Sequence, residues 1–166
     1  MLTLILVRHA KTEQLAYNSL KSDFERELKP RGYSDTELVA DQLLSKDIVP
    51  DLLITSKATR ANQTANILAE KLGIAKPDII GEQFIYDGYT TSQFISYLNQ
   101  FENQRCIMVV GHNPEIAMMA INLSGSDYLD FPTTATIGIT FDAKSWKDIN
   151  AREGQIAWFI TPKMLK

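Results

Sequence analysis

Two patterns of apolar residues alternate along this chain. Residues 2–8, 51–55, 106–110, 136–141 and 155–161 are short runs dense in Ile, Leu, Val and Phe. Such runs predict strands, and the first three have the look of strands covered on both faces, while 136–141 alternates or runs apolar. A weaker run at 78–80 predicts one more short strand. Between the runs, apolar residues recur at helical spacing. Tyr33, Glu37/Ala40 and Leu43/Leu44 mark a helix over 31–45 that Pro50 closes. Ala58, Ala61, Ala65, Leu68 and Leu72 mark another over 57–72, stopped by Gly73. Phe94, Ile95, Leu98 and Phe101 predict a third over 91–101. A fourth spans 114–124, opened by Pro114 and ended by Gly125. Residues 10–30 are polar and irregular, a long loop with room for one helical turn. Strand and helix in alternation predict an α/β fold: a three-layer sandwich with a mainly parallel central sheet flanked by helices. With 166 residues, no repeat and no linker, one domain over 1–166 is expected.

Composition adds limits. The net charge of -3 argues against a nucleic-acid partner. No stretch reaches the ~20 apolar residues of a membrane span. The first apolar run lacks a basic leader and is cut by Arg8, so a cytoplasmic protein is expected. The single cysteine, Cys106, opens an apolar run and reads as a buried thiol.

Chemistry gathers at the ends of three predicted strands, where open α/β sheets bind ligands. The first run ends in Arg8-His9. The run over 106–110 ends in Gly111-His112-Asn113-Pro114, and these two histidines are the only ones present. The second leads into Ser56-Lys57-Ala58-Thr59-Arg60, with Ser56 expected as N-cap and Arg60 in the first helical turn. An arginine there opposes the helix dipole unless an anion sits beside it. Asn113 is expected to cap the next helix, with Pro114 at its first position. Taken singly, each of these residues reads as an ordinary surface or structural one. Together they outline a small basic anion pocket with an imidazole nucleophile inside.

Other reactions fit less well. Two histidines without a carboxylate or thiolate cluster make a poor metal site, so no metal and no cofactor is expected. Gly-x-x-x-x-Gly-Lys-Ser/Thr and Gly-x-Ser-x-Gly are both absent. A neutral imidazole attacking phosphorus, with arginines on the equatorial oxygens, remains. Neighbouring guanidinium charges would keep His9 unprotonated.

The residues also carry a resemblance. Arg8-His9-Ala10 is similar to the Arg-His-Gly signature of the histidine phosphatase superfamily, which includes the cofactor-dependent phosphoglycerate mutases. Leu6-Val7-Arg8-His9-Ala10-Lys11-Thr12, the segment from Asp23 to Gly32, Ser56 to Ala65 and Val110-Gly111-His112-Asn113-Pro114 resemble the small phosphohistidine phosphatases of the SixA type, in order and over nearly the whole chain. The resemblance implies a phosphoglycerate mutase-like fold and a metal-independent phosphatase. It makes His9 the phosphorylated nucleophile, Arg8 and Arg60 the phosphate clamps, and His112 the second histidine. Lys11, Arg26 and Asn113 are candidates for substrate binding. Two departures stand out. Ala10 replaces glycine, and no motif marks the acid that protonates a poor leaving group, for which Glu82, Asp87 and Glu13 are the candidates. A missing acid favours phosphohistidine, because imidazole leaves more readily than an alkoxide. A phosphorylated protein is therefore the first expected substrate and a small phosphorylated metabolite the second. A non-catalytic phosphate-binding module on the same fold is the alternative outside enzymes.

Overall fold

A computed structural model describes residues 1–166. Six strands form one sheet: β1 (Leu2–Arg8), β2 (Leu52–Ser56), β3 (Ile79–Glu82), β4 (Cys106–Gly111), β5 (Thr136–Phe141) and β6 (Gln155–Ile160). Their order is β3-β2-β4-β1-β5-β6. The first four run parallel, while β5 is antiparallel to β1, and β6 to β5. Five helices cover the sheet: α1 (Pro30–Ser45), α2 (Thr59–Leu72), α3 (Gln83–Asp87), α4 (Thr91–Leu98) and α5 (Glu115–Ser124).

The alternation of side chains along β1 divides the core in two. Leu4 and Leu6 point to the face that packs Ile54, Val109, Phe94 of α4 and Met119 of α5. Ile5 and Val7 point to the other, against Val39 and Leu43 of α1 and Ala61, Ala65 and Leu68 of α2. The small alanines of α2 let that helix lie close to the sheet. Burying both faces accounts for the unbroken apolar runs of β1 and β4.

Several expectations shift at element edges. In α1 the inward stripe is Gly32, Asp35, Thr36, Val39, Ala40 and Leu43, whereas Tyr33, Glu37 and Leu44 face solvent. The helix over 57–72 begins only at Thr59, with Ala58 at its N-cap. That over 91–101 ends at Leu98. The short α3 carries no sequence period and was not expected. Asn113 does not cap α5, because its side-chain amide donates instead to the Phe131 carbonyl (2.9 Å), and Pro114 takes the N-cap position. Cys106 is half-buried rather than buried, and burial pushes its thiol up to about 12. Within 10–30, a 3-10 turn at Asp23–Glu25 and one antiparallel bridge, Thr12 to Leu28, give the loop its shape.

Candidate active site

Register sets the site. Arg8 lies opposite Gly111, so β1 and β4 end level with each other, and β2 ends beside them. His9 continues the ladder by one residue, its N–H donating to the Gly111 carbonyl (3.0 Å). On the other side, the Thr134 N–H is shared between the carbonyls of Arg8 and His9 (3.1 Å each). Thr134 makes this contact at φ 63°, a left-handed conformation that a β-branched residue rarely adopts. The mouth of β1 is thus held from both sides.

His9, Arg60 and His112 are each 7% exposed. The two imidazole centroids stand 5.2 Å apart, with the rings tilted by 52°. His9 Nδ1 lies 2.9 Å from its own neighbour's carbonyl, that of Ala10. A carbonyl only accepts, so Nδ1 carries the proton and the neutral ring keeps its lone pair on Nε2. Arg60 Nε approaches that Nε2 at 3.4 Å. Burial drives the His9 pKa down to about 3, and the charges of His112, Arg60 and Arg8 add to it, outweighing the hydrogen bond to Ala10. His112 falls to about 4, first through burial and then through Arg60. Both rings are neutral at physiological pH.

Ser56 differs from the cap expected of it. It ends β2 and brings its hydroxyl within 2.8 Å of His112 Nε2, while also accepting from Ala58 N–H (3.1 Å). The serine hydroxyl can donate to Nε2 or accept from it; when it donates, the neutral ring of His112 carries its proton on Nδ1, which is buried without a protein partner. Arg8 donates to the Phe131 carbonyl (3.2 Å) through Nη1 and leaves its buried Nε unpaired. Thr64, one turn into α2, ties two parts of the site together. Its hydroxyl accepts from Ala10 N–H (3.0 Å) and donates to the Arg60 carbonyl (2.8 Å).

Arg60 has a second set of partners. Its Nη1 donates to the Asp23 carbonyl (2.7 Å) and its Nη2 to the Asp23 carboxylate (3.2 Å). The same carboxylate accepts from the Tyr86 hydroxyl (2.9 Å) and from Arg26 Nη1 (2.9 Å). Burial alone would raise the Asp23 pKa. The bonds from Tyr86 and Arg26 and the charge of Arg60 reverse that and hold the carboxyl below its usual range. The Tyr86 ring stands edge-on to His112 (5.6 Å between centroids) and lies beneath the Arg60 guanidinium (5.9 Å).

These groups open into a pocket of about 560 Å³. Arg8, His9, Arg60 and His112 line it, as do Lys11, Arg26 and Asn113, so all seven residues expected at the site meet there. None of its eleven lining residues is hydrophobic and none is a carboxylate. The three candidate acids are elsewhere. Glu13 is ion-paired with Lys21 (2.7 Å), whose hydrogen bond pulls the Glu13 pKa down. Glu82 stands at the N-cap position of α3 without a side-chain cap bond, and Asp87 accepts from Gln83 (3.2 Å) on the surface. No group of three or more His, Cys, Asp or Glu side chains is placed to hold a metal ion. A larger cavity of about 730 Å³, between α4, α5 and the 149–152 loop, contains none of the residues of the histidine pair.

Sequence reasoning missed Asp23 and Tyr86 as parts of the site, and misread Ser56. Asp23 stood inside a segment already singled out by resemblance, one of three acidic residues there with Glu25 and Glu27, and nothing local showed which one Arg60 would choose.

The sequence model of the histidine phosphatase superfamily (branch 1) matches residues 4–84, the part that supplies Arg8, His9 and Arg60. This chain belongs to the histidine phosphatase superfamily. It is a histidine-type phosphatase with a phosphoglycerate mutase-like fold. An uncharacterised protein of Mycobacterium tuberculosis is 30% identical over 168 residues, covering 95% of this chain and 100% of its relative. Phosphoglycerate mutase 1 of Saccharomyces cerevisiae is 38% identical over 68 residues, 41% of this chain and 28% of the mutase. Among solved structures, the protein histidine phosphatase SixA complexed with tungstate superposes with a TM-score of 0.84 at 22% identity, covering 99% of this chain and all of that one. A phosphoserine phosphatase of Entamoeba histolytica in complex with 3-phosphoglyceric acid reaches 0.67 at 17% identity, over the whole of both chains. These structural likenesses are likenesses of fold.

Proposed function

We propose that this histidine phosphatase hydrolyses phosphohistidine in proteins, through a covalent phosphohistidine on His9 and without a metal. The observation that carries the reading is the state of His9. Its Nδ1 is tied to Ala10, and its neutral Nε2 presents a lone pair beside the Arg60 guanidinium. In the first step Nε2 bonds to phosphorus as the bond from phosphorus to the substrate imidazole breaks. The electron pair goes to the departing nitrogen, which takes a proton from water. Arg8, Arg60 and the unpaired Nδ1–H of His112 hold the equatorial oxygens, where charge is redistributed. In the second step water attacks the phosphorylated His9, inorganic phosphate leaves, and the neutral ring is restored.

The lining of the pocket supports the choice of leaving group. A serine or sugar alkoxide needs a proton from a nearby acid. No carboxylate lines the pocket, and the one close by, Asp23, is held ionised by its cationic and hydroxyl neighbours. Imidazole leaves without such help. A small phosphorylated metabolite is the second reading, and the shared fold of the phosphoserine phosphatase supports it.

Turnover of a phosphohistidine peptide, compared with serine and sugar phosphates, tests the assignment. The peptide should be the fastest substrate, and an acid-labile label should appear on the wild-type protein but not on His9→Ala. If sugar or serine phosphates turn over faster than the peptide, the leaving-group argument fails. A protein that binds phosphate and never becomes labelled is a binding module.

A further inference from the structure

The pocket is larger and more basic than one phosphoryl group requires. Its volume of about 560 Å³ exceeds by many times the roughly 30 Å³ that one water occupies, and a phosphoryl group fills only a few waters' worth. Five cationic residues line it: Arg8, Arg60, Arg26, Lys11 and Lys29. The first two belong to the phosphoryl clamp, and Arg26 is paired with Asp23 (2.9 Å). Lys11 and Lys29 have no carboxylate within ion-pair distance.

Their isolation is built into the backbone. The acids nearest in sequence, Glu13 and Glu27, are both drawn to Lys21, at 2.7 and 2.8 Å. The first turn of α1 contributes no acidic residue. Meanwhile the two lysines are fastened side by side. Lys29 N–H donates to the Lys11 carbonyl (3.1 Å), and the bridge between Thr12 and Leu28 continues the pairing. Gly32 lets α1 press against this segment, since a Cβ there would come within 2.3 Å of the Lys11 carbonyl oxygen. Two lysines without a carboxylate partner, carried on paired backbone in the wall of the pocket, give that wall a positive charge that attracts an anion.

We propose that Lys11 and Lys29 form a second anion subsite, which takes a carboxylate or phosphate carried by the substrate next to its labile phosphoryl group. Resting on the protein-phosphohistidine reading, the group is an acidic side chain flanking the phosphohistidine. The same chemistry offered by a small molecule would be its own carboxylate.

The test compares kcat/KM for phosphohistidine peptides with acidic, neutral and basic flanks, at low and high salt. A second pair, a carboxylate-bearing phosphomonoester and its uncharged analogue, covers the small-molecule source. The acidic peptide should be favoured over the neutral one by about tenfold at low salt, and salt should erase the advantage. Lys11→Met with Lys29→Met should bring the ratio to about one, and Lys11→Glu with Lys29→Glu should turn the preference towards basic flanks. Equal rates on all three peptides in the wild type would overturn the subsite, as would a preference that survives both double variants. Should no phosphohistidine peptide be cleaved, the substrate reading falls alone if the carboxylate-bearing ester is preferred and the lysine variants abolish that preference. If that ester shows no preference either, the subsite falls with it.

Discussion

His9 is kept neutral by burial and by its cationic neighbours together. In the proposed mechanism, neither the attack by His9 nor its release from phosphate then depends on the ordinary imidazole titration. Background-corrected kcat/KM for the phosphohistidine peptide should show no inflection from His9 between roughly pH 5 and 8, although an unperturbed histidine titrates near 6.5. A fall centred near 6.5 that vanishes in no other variant would place a charged ring at position 9. Arg60→Ala removes one of the two proposed arginine clamps and should lower kcat by about a hundredfold, on the order of 3 kcal/mol, as when one oxyanion donor is lost. Asp23→Ala tests something different. Arg60 keeps its bond to the Asp23 carbonyl but loses the carboxylate, so the guanidinium gains freedom. A loss of about tenfold in kcat is expected, consistent with one charge-assisted hydrogen bond. An unchanged kcat would mean that the backbone carbonyl alone orients the arginine. The residues legible in sequence were those delivered by strand ends, where position along the chain fixes position in space. Asp23, Tyr86 and the true role of Ser56 depend on contacts across 37, 63 and 56 residues, and no local pattern encodes those.

Strands and helices were legible wherever one periodicity ran for several turns. β1, β4 and α2 are covered on the faces their patterns name, and their bounds moved by two residues or fewer. α3 escaped because five residues are too few to show a period, and the inward stripe of α1 was misplaced because it uses glycine, threonine and aspartate instead of large apolar groups. The antiparallel course of β5 and β6 was equally silent, since direction leaves no trace in an apolar run. Gly32 links this scale to the site. Alanine raises helix propensity by about 1 kcal/mol over glycine, so propensity alone predicts that Gly32→Ala stabilises the protein. The close approach of Lys11 predicts the reverse. Overpacking against backbone should cost about 1–3 kcal/mol, visible as a lower midpoint in urea denaturation.

For the molecule as a whole, the two buried histidines make stability depend on pH. Both have folded-state pKa values below the ordinary 6.5, at about 3 and about 4. The unfolded chain therefore binds protons that the native state refuses as pH falls below roughly 6.5. Native stability should be highest above that point and decline through pH 6 to 4, by up to about 1.4 kcal/mol per pH unit for each ring. His9→Gln and His112→Gln should flatten the decline in thermal or urea unfolding, and a curve as steep as the wild type in the double variant would exonerate the histidines. EDTA should leave turnover intact. A loss restored by added metal would refute the proposed mechanism.

The Lys21 side chain bonds Glu13 and Glu27 at once and so closes the base of the 14–20 excursion, whose Tyr17 and Leu20 are fully solvent-exposed. Beyond that clasp only Gln14 reaches the lining of the histidine pocket, and residues 15–20 take no part in it. Doubling the length of such an excursion costs only about 0.6 kcal/mol in closure entropy. Foreign peptide could be spliced in at its tip, giving the same chemistry a new reach, provided the three residues of the clasp are left alone.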